Sequence, residues 1–310
     1  MYAGAKSLFF ALSRSTFLKR QASRYGMAHE TSFARRFIAG ETVEEAIAAA
    51  RTLQARGLLL TLDYLGESVR TLDEANAATR EYVRLIDVIV ASGIERNISL
   101  KLTQLGVDID RATCIDNMRR ILEPAQRHGF FVRIDMEDSA YTEITLQVFE
   151  TLWQQQYRNI GVALQAALLR TEKDIRRMNE LGARVRLVKG AYKEPAAVAL
   201  QKKSDVDAAF VHLMKLLLDD GVYPAIATHD EAILAEAREH AAQKRIPADR
   251  FEFQMLYGIR RDLQATLIAA GNRLRIYIPF GRQWFPYFMR RLGERPANIG
   301  FVVRAILKER

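Results

Sequence analysis

Near the end of the chain, the stretch PYFMRRLGERPAN (286–298) sets Tyr287, Arg290 and Arg291 at helical spacings of three and four. On a helix those positions share one face, so a phenol and two guanidinium groups point the same way. Adjacent arginines repel each other unless an anion lies in front of them. The planar fork of an arginine suits a carboxylate because it binds both oxygens at once. More chemistry-bearing residues fall where apolar, β-branched runs end: Lys101, Asp135, Gln165, Arg186, Lys189, Thr228, His229 and Tyr277, with Arg133 and Gln254 close by. In that set Lys101, Arg186, Lys189, Arg290 and Arg291 outnumber Asp135, which predicts a site for phosphates or a carboxylate.

Metal chemistry fits these residues less well. The run DMED (135–138) resembles a hard-cation site, but strand alternation sends Asp135 and Glu137 to one side and Asp138 to the other, and nearby cations neutralise them. Charged loop residues after a strand are the simpler reading. The five histidines show no ligand spacing, and His128, His212 and His240 fall on predicted helices as surface residues. No metal site is therefore expected. A buried lysine at the end of an apolar run, Lys101 or Lys189, could instead form a Schiff base as in a lyase or aldolase. Against this, Lys189 opens KGAY, where Gly190 and Ala191 read as a close backbone approach to a ligand, and the site is too cationic to need one such lysine.

These residues require elements that converge. Eight strand candidates, 57–66, 97–106, 130–138, 159–166, 184–192, 223–230, 251–258 and 274–281, alternate with helix candidates. The helices are expected at Leu72–Ala91, Thr113–His128, Thr142–Tyr157, Thr171–Leu181, Ala196–Asp219, Asp230–Arg245 and Arg261–Ala270. Thr171, three residues before Asp174, reads as an N-cap, and Gly221 as a C-cap glycine; Gly93, Gly129 and Gly182 separate helices from the next strands. Eight such units predict a closed α/β barrel of the (β/α)8 kind, with its site at the strand C-termini. An open dinucleotide-binding sheet is disfavoured, because LGES rather than a Gly-rich fingerprint follows the first strand. The expected organisation is an N-terminal helical arm over 1–56, packed on a catalytic barrel over 57–310, with a terminal helix at Asn298–Lys308.

Composition sets wider limits. The 310 residues are 49% hydrophobic and 27% charged, ample for one large core. The net charge of +9 is spread rather than gathered in a tail, and no nucleic-acid-binding signature accompanies it, so no nucleic acid is expected. A basic protein that merely binds a membrane or nucleic acid stands as the non-enzymatic alternative. The single cysteine, Cys114, excludes an internal disulfide and fits a reducing compartment. No run is long and apolar enough to span a membrane. The basic, partly apolar N-terminus has too short an apolar core for a signal peptide. Its weak amphipathicity favours packing on the main domain over contact with a membrane surface.

Taken together, LDYLGE (62–67), SLKLTQLG (99–106), VRIDMED (132–138) and VALQAALLRTEKD (162–174) resemble the proline dehydrogenase family. So do RVRLVKGAYKE (184–194), YPAIATHD (223–230), FEFQMLYGI (251–259) and YFMRRLGERPAN (287–298). Any one motif is weak; eight in order, from about Leu58 to Asn298, are specific. The resemblance is to the short, single-activity bacterial form, with a distorted (β/α)8 barrel holding FAD. It implies oxidation of L-proline to Δ1-pyrroline-5-carboxylate by hydride transfer from Cδ to flavin N5, with electrons passed to a membrane quinone. Pyrroline-5-carboxylate dehydrogenase would act next, toward glutamate. A cytoplasmic enzyme, peripheral at the inner face of the membrane, follows from the quinone.

Carried onto this chain, the resemblance gives Lys101, Arg290 and Arg291 the proline carboxylate. It gives Asp135, Leu256, Tyr277 and Tyr287 the walls around the ring. Arg186 would stand beside the flavin's reactive nitrogen and Gln165 at the ring edge. Val188, Lys189, Gly190, Ala191, Thr228 and His229 would line the remaining cofactor, and Glu67 would pair with Arg290 as a gate. Two positions depart from the family pattern: Ala167 and Lys193 stand where aromatic residues are common, which bears on the adenine-side and rim contacts. Hydroxyproline-preferring relatives tend to carry a smaller residue at the position of Tyr287, so proline is the expected substrate.

Overall fold

The computed structural model of the protein describes Met27, residues 32–66 and residues 68–294. Glu67, most of the N-terminal arm and the expected helix at 298–308 lie outside the described residues. Eight parallel strands close into one barrel, each paired with its neighbours in sequence order and β8 returning to β1. They are β1 (Leu59–Tyr64), β2 (Asn97–Leu100), β3 (Phe131–Ile134), β4 (Ile160–Gln165), β5 (Arg184–Val188), β6 (Ala225–Ala227), β7 (Glu252–Leu256) and β8 (Leu274–Phe280). Helix α1 (Val43–Gln54) precedes the barrel. Outside it lie α2 (Leu72–Ser92), α3 (Arg111–Arg127), α4 (Ser139–Gln154), α5 (Thr171–Leu181), α6 (Lys203–Asp220), α7 (Glu231–Gln243) and α8 (Arg261–Ala269), and α9 (Trp284–Glu294) follows β8.

Alternation along the strands decides where the core sits. Leu60, Leu62, Ile98, Leu100, Val132, Ile134, Val162, Leu187 and Ile276 are buried in one large apolar cluster with residues of the surrounding helices. The intervening positions, Thr61, Asp63, Ser99, Arg133, Arg186, Glu252, Gln254, Arg275 and Tyr277, are buried as well, and most are polar. The main apolar layer therefore lies between sheet and helices, and the barrel lumen is left to polar groups.

The amino-terminal end of the lumen is plugged by an ion-pair network. Arg275 clamps both oxygens of Glu252 at 2.7 and 2.9 Å and reaches Glu95 at 2.7 Å. Glu252 also accepts from the Tyr223 hydroxyl at 3.0 Å. Burial alone would raise the Glu252 carboxyl, but Arg275 and the donors around it hold it below the usual range. Arg133, expected among the strand-end residues of the site, belongs to this lower end. Its guanidinium donates to the carbonyls of Val162 at 2.9 Å and Arg184 at 2.6 Å, and lies over the Phe131 ring at 4.8 Å. Gly161 makes room for it: a Cβ there would stand 2.8 Å from Arg133 Nη1 and 2.4 Å from the Arg184 carbonyl oxygen.

Several local expectations are corrected. Helix α6 starts at Lys203 rather than Ala196, because Leu169 and Leu200 engage the carbonyls of Val198 and Ala167 at 3.0 and 2.8 Å. Those bonds flank a single antiparallel bridge between Leu168 and Ala199 that follows a turn at 196–198, so the helix cannot begin there. Thr171 is not an N-cap; it is the first residue of α5, and its hydroxyl donates to the Gln165 carbonyl. Gly221 is the C-cap of α6 as expected, but with φ −85° rather than the left-handed conformation. Gly93, Gly129 and Gly182 do adopt positive φ. His240, expected at the surface, is buried with Nε2 2.7 Å from Asp219.

Residues 32–41 tie α9 to the barrel. Ala39 donates to the Pro279 carbonyl at 2.9 Å, Gly281 to Gly40 at 2.9 Å, and Trp284 Nε1 to Glu41 at 2.9 Å. Phe37 and Ile38 pack with Trp284, Phe285 and Phe288 in a second apolar cluster that also contains Tyr277 and Tyr287.

Removing Glu252 leaves the buried Arg275 with the partly exposed Glu95 as its remaining ion-pair partner. Glu252→Gln is expected to lower unfolding stability by about 3–5 kcal/mol, read as a reduced urea midpoint with an unchanged m-value.

Candidate active site

At the carboxyl ends of the strands opens a cavity of about 490 Å³. Fifteen of the sixteen residues to which the family resemblance gives a role line it, and Glu67, the remaining one, lies outside the described residues. Lys101, Asp135, Arg186 and Tyr277 come from β2, β3, β5 and β8 or the residues just beyond them. Gln165, Val188, Lys189, Gly190 and Ala191 come from the ends of β4 and β5, Thr228 and His229 from the end of β6, and Leu256 from β7. Tyr287, Arg290 and Arg291 come from α9.

Asp135 organises the floor. Its Oδ1 accepts from Arg186 Nη1 at 2.5 Å, and its Oδ2 accepts from Tyr277 OH at 2.7 Å and Lys101 Nζ at 3.2 Å. The second guanidinium nitrogen of Arg186 donates to Ser99 Oγ at 2.9 Å, and the group lies 5.3 Å from the Tyr277 ring centre. Burial alone would raise the Asp135 carboxyl, but Lys101, Arg186 and the Tyr277 hydroxyl hold it below the usual range. Burial, and then the neighbouring anions Asp135 and Asp63, push the Tyr277 phenol upward, so it is a neutral donor here.

One flank of the cavity is shaped for close approach. Gly190 has φ +111°, and a Cβ on it would come within 3.2 Å of both Gln165 Oε1 and Ala167 Cβ. The Gln165 amide is oriented by donating Nε2 to the Glu137 carbonyl at 2.7 Å. His229 Nε2 accepts from the Leu256 backbone N–H at 3.0 Å, which in a neutral ring leaves the proton on Nδ1. Lys189 Nζ is held between Asp230, at 2.9 Å, and Asp207 on α6. Those two ion pairs engage the amine that Schiff-base chemistry would need, and brace α6 against the ends of β5 and β6.

Across the cavity, Tyr287 is buried and the Arg291 guanidinium lies 5.2 Å from its ring centre. Arg290 and Arg291 are half-buried. Leu256 packs against the cluster holding Tyr277 and Tyr287. The result is a cationic roof over a wall of phenols and one leucine.

The DMED run divides into three roles, because β3 ends at Ile134 and strand alternation does not govern these residues. Asp135 holds the floor. Glu137 is buried and accepts from Thr103 Oγ1 at 2.6 Å and Thr103 N at 3.2 Å. Asp138 caps α4 through the Ala140 N–H at 3.1 Å. Among the described residues no group of three or more His, Cys, Asp or Glu could hold a metal ion, and no helix is long and apolar enough to cross a membrane.

Three participants were not singled out from the sequence: Asp63, Ser99 and Asp207. Asp63 and Ser99 had a signal, as polar residues on the lumen side of otherwise aliphatic strands. Asp207 had none, since its contact with Lys189 depends on how α6 lies over β5.

Comparison with known proteins agrees with this architecture. The family model described as proline dehydrogenase matches residues 46–304. Proline dehydrogenase 1 of Bacillus subtilis is 43% identical over 304 residues, covering 98% of this chain and 99% of the relative. Proline dehydrogenase of Deinococcus radiodurans is 40% identical over 281 residues, covering 89% and 91%. Among solved structures, proline utilization A from Bdellovibrio bacteriovorus, inactivated by N-propargylglycine, superposes with a TM-score of 0.79 at 28% identity. That match covers 84% of this chain and 32% of the larger protein, so the chain spans about a third of its length.

Because the folded Asp135 carboxyl titrates below its ordinary value of 3.8, its stabilisation is full above that pH and is lost as pH falls through the folded value. Asp135→Asn should therefore be less stable than the parent at neutral pH. The gap should close below pH ~4, as followed by denaturant melts across pH.

Proposed function

The chain belongs to the proline dehydrogenase family, and from that premise we propose that it is an FAD-dependent enzyme that oxidises L-proline to Δ1-pyrroline-5-carboxylate. The observation carrying this reading is that Lys101, Arg290 and Arg291 line the same cavity as Leu256, Tyr277 and Tyr287. Three cations suit one carboxylate, and the phenols and leucine suit a small saturated ring. The carboxylate does not react, so its binding serves to orient the ring. The surrounding positive charge disfavours a protonated ring nitrogen, which must be neutral for the imine to form. Tyr287, buried against that ring, would crowd a 4-hydroxyl group and so supports proline over hydroxyproline.

The residues fit a flavin on physical grounds. Apolar Ala163, Val188 and Ala227 lie near oriented polar groups of Gln165, Thr228 and His229, and Gly190 keeps a close approach open. Gln165, Arg186, Val188, Lys189, Gly190, Ala191, Thr228 and His229 would hold FAD. When bound, FAD supplies the acceptor for hydride from proline Cδ and a route for its electrons to a membrane quinone. Arg186, fixed by Asp135 and Ser99, presents a preorganised positive charge where negative charge gathers during reduction. We also infer a gate in which Glu67, outside the described residues, pairs with Arg290 once substrate has entered. In this reading residues 1–56 form an arm on the catalytic barrel. The enzyme works from the cytoplasm at the inner face of the membrane, and its product passes to pyrroline-5-carboxylate dehydrogenase toward glutamate.

Purified protein should be yellow and should bleach anaerobically on addition of L-proline; a colourless protein that takes up no added FAD would refute the assignment. Arg291→Met should raise KM for proline steeply while FAD stays bound, since losing one charged contact in a closed pocket costs about 2–5 kcal/mol. Loss of FAD instead would assign the arginine to the cofactor.

A further inference from the structure

Behind the cavity floor stands a second buried carboxylate that is not part of the cavity wall. Asp63, on β1, is 1% exposed. Its Oδ2 lies 3.6 Å from Lys101 Nζ, whose other carboxylate partner, Asp135, is at 3.2 Å. Lys101 is thus bracketed on its inner side by two anions while it faces the cavity on the other. The local charges balance: Asp63 and Asp135 against Lys101 and Arg186. An anion as deeply buried as Asp63 is costly unless a cation accompanies it, and the cation nearest it in an ion pair is Lys101.

We propose that Asp63 is the positioning residue for Lys101, keeping its ammonium charged and turned toward the cavity, without touching substrate itself. The proposal rests on the reading of Lys101 as a ligand of the substrate carboxylate. Asp135 is shared among three donors, Arg186 on one oxygen and Tyr277 with Lys101 on the other, so by itself it pulls the ammonium to one side. Without Asp63 the ammonium would be drawn toward Asp135, away from the roof arginines with which it must share one carboxylate. The groups acting on Lys101 are Asp63 from β1, Asp135 following β3, Arg186 from β5, Tyr277 from β8, and Arg290 and Arg291 from α9 across the cavity. Removing one anion from this set makes Lys101 lose its proton at lower pH.

Holoenzyme carrying Asp63→Asn should show KM for L-proline raised about tenfold or more, with kcat within about threefold. The alkaline limb of kcat/KM against pH should move toward acid. In a Lys101→Met background the same substitution should cost nothing further in kcat/KM. An unmoved alkaline limb, or additive losses in the double variant, would overturn the proposal. Should Asp63→Asn fail to fold, thermal melts decide: Lys101→Met combined with Asp63→Asn should melt above Lys101→Met alone, because the buried carboxylate whose ion pair Lys101→Met removes is then neutral. A lower melt for the double variant would overturn it too. Wild-type protein that leaves proline unoxidised refutes the enzymatic reading instead, while the melting comparison still tests the pairing.

Discussion

A single buried carboxylate, Asp135, has to satisfy an arginine, a lysine and a phenol drawn from three other strands. In water such contacts would be worth little. In a lumen where each partner is almost fully buried they fix positions, because any group that lets go is left unsatisfied. Arg186 can aim at the cavity because Asp135 and Ser99 take up its two terminal nitrogens. Tyr277 can stand as a neutral wall because its proton is committed to Asp135. One acid thus converts a crowd of cations that would repel each other into a surface with a defined shape.

That arrangement depends on the barrel being polar inside, which is possible only because its main apolar core lies elsewhere. The aliphatic positions of the strands face the helices, where burial stabilises each side chain by about 1.5–3 kcal/mol. The lumen positions are then spared from building the core. The two ends divide the work. At the amino-terminal end, Arg275 pairs with Glu252 and Glu95 while Arg133 donates to backbone carbonyls, and together they close the lumen. At the carboxyl end, an excess of cations remains for something that enters from outside. The same residue types close the lumen at one end and line the cavity at the other.

This division explains what could be read from the sequence. The strands were legible as short β-branched, apolar runs, and the strand-end residues were legible because a charge there has no reason to interrupt such a run. The face of Tyr287, Arg290 and Arg291 follows from helical spacing alone. Arg133 was misjudged because position along a strand does not say which end of the lumen a long side chain reaches. The early start given to α6 failed for a long-range reason, since residues 198–200 are captured by the backbone of 167–169. Glu137 read as a loop charge because its partner, Thr103, belongs to the turn after a different strand.

Helix α9 joins two demands that its spacing cannot separate. Trp284, Phe285 and Phe288 turn one face onto Phe37 and Ile38, and this packing sets the rotation of the helix about its axis. Once that rotation is set, Tyr287, Arg290 and Arg291 must face the cavity, since they lie along one stripe of the same helix. The segment at 32–41 therefore bears on the shape of the cavity without lining it. It fastens β8 through Pro279 and α9 through Trp284, so the distance between the roof arginines and the Asp135 floor is set from behind the helix. A roof held this way can open only if the apolar packing yields or the arginines move as flexible side chains, and moving side chains is the less costly of the two.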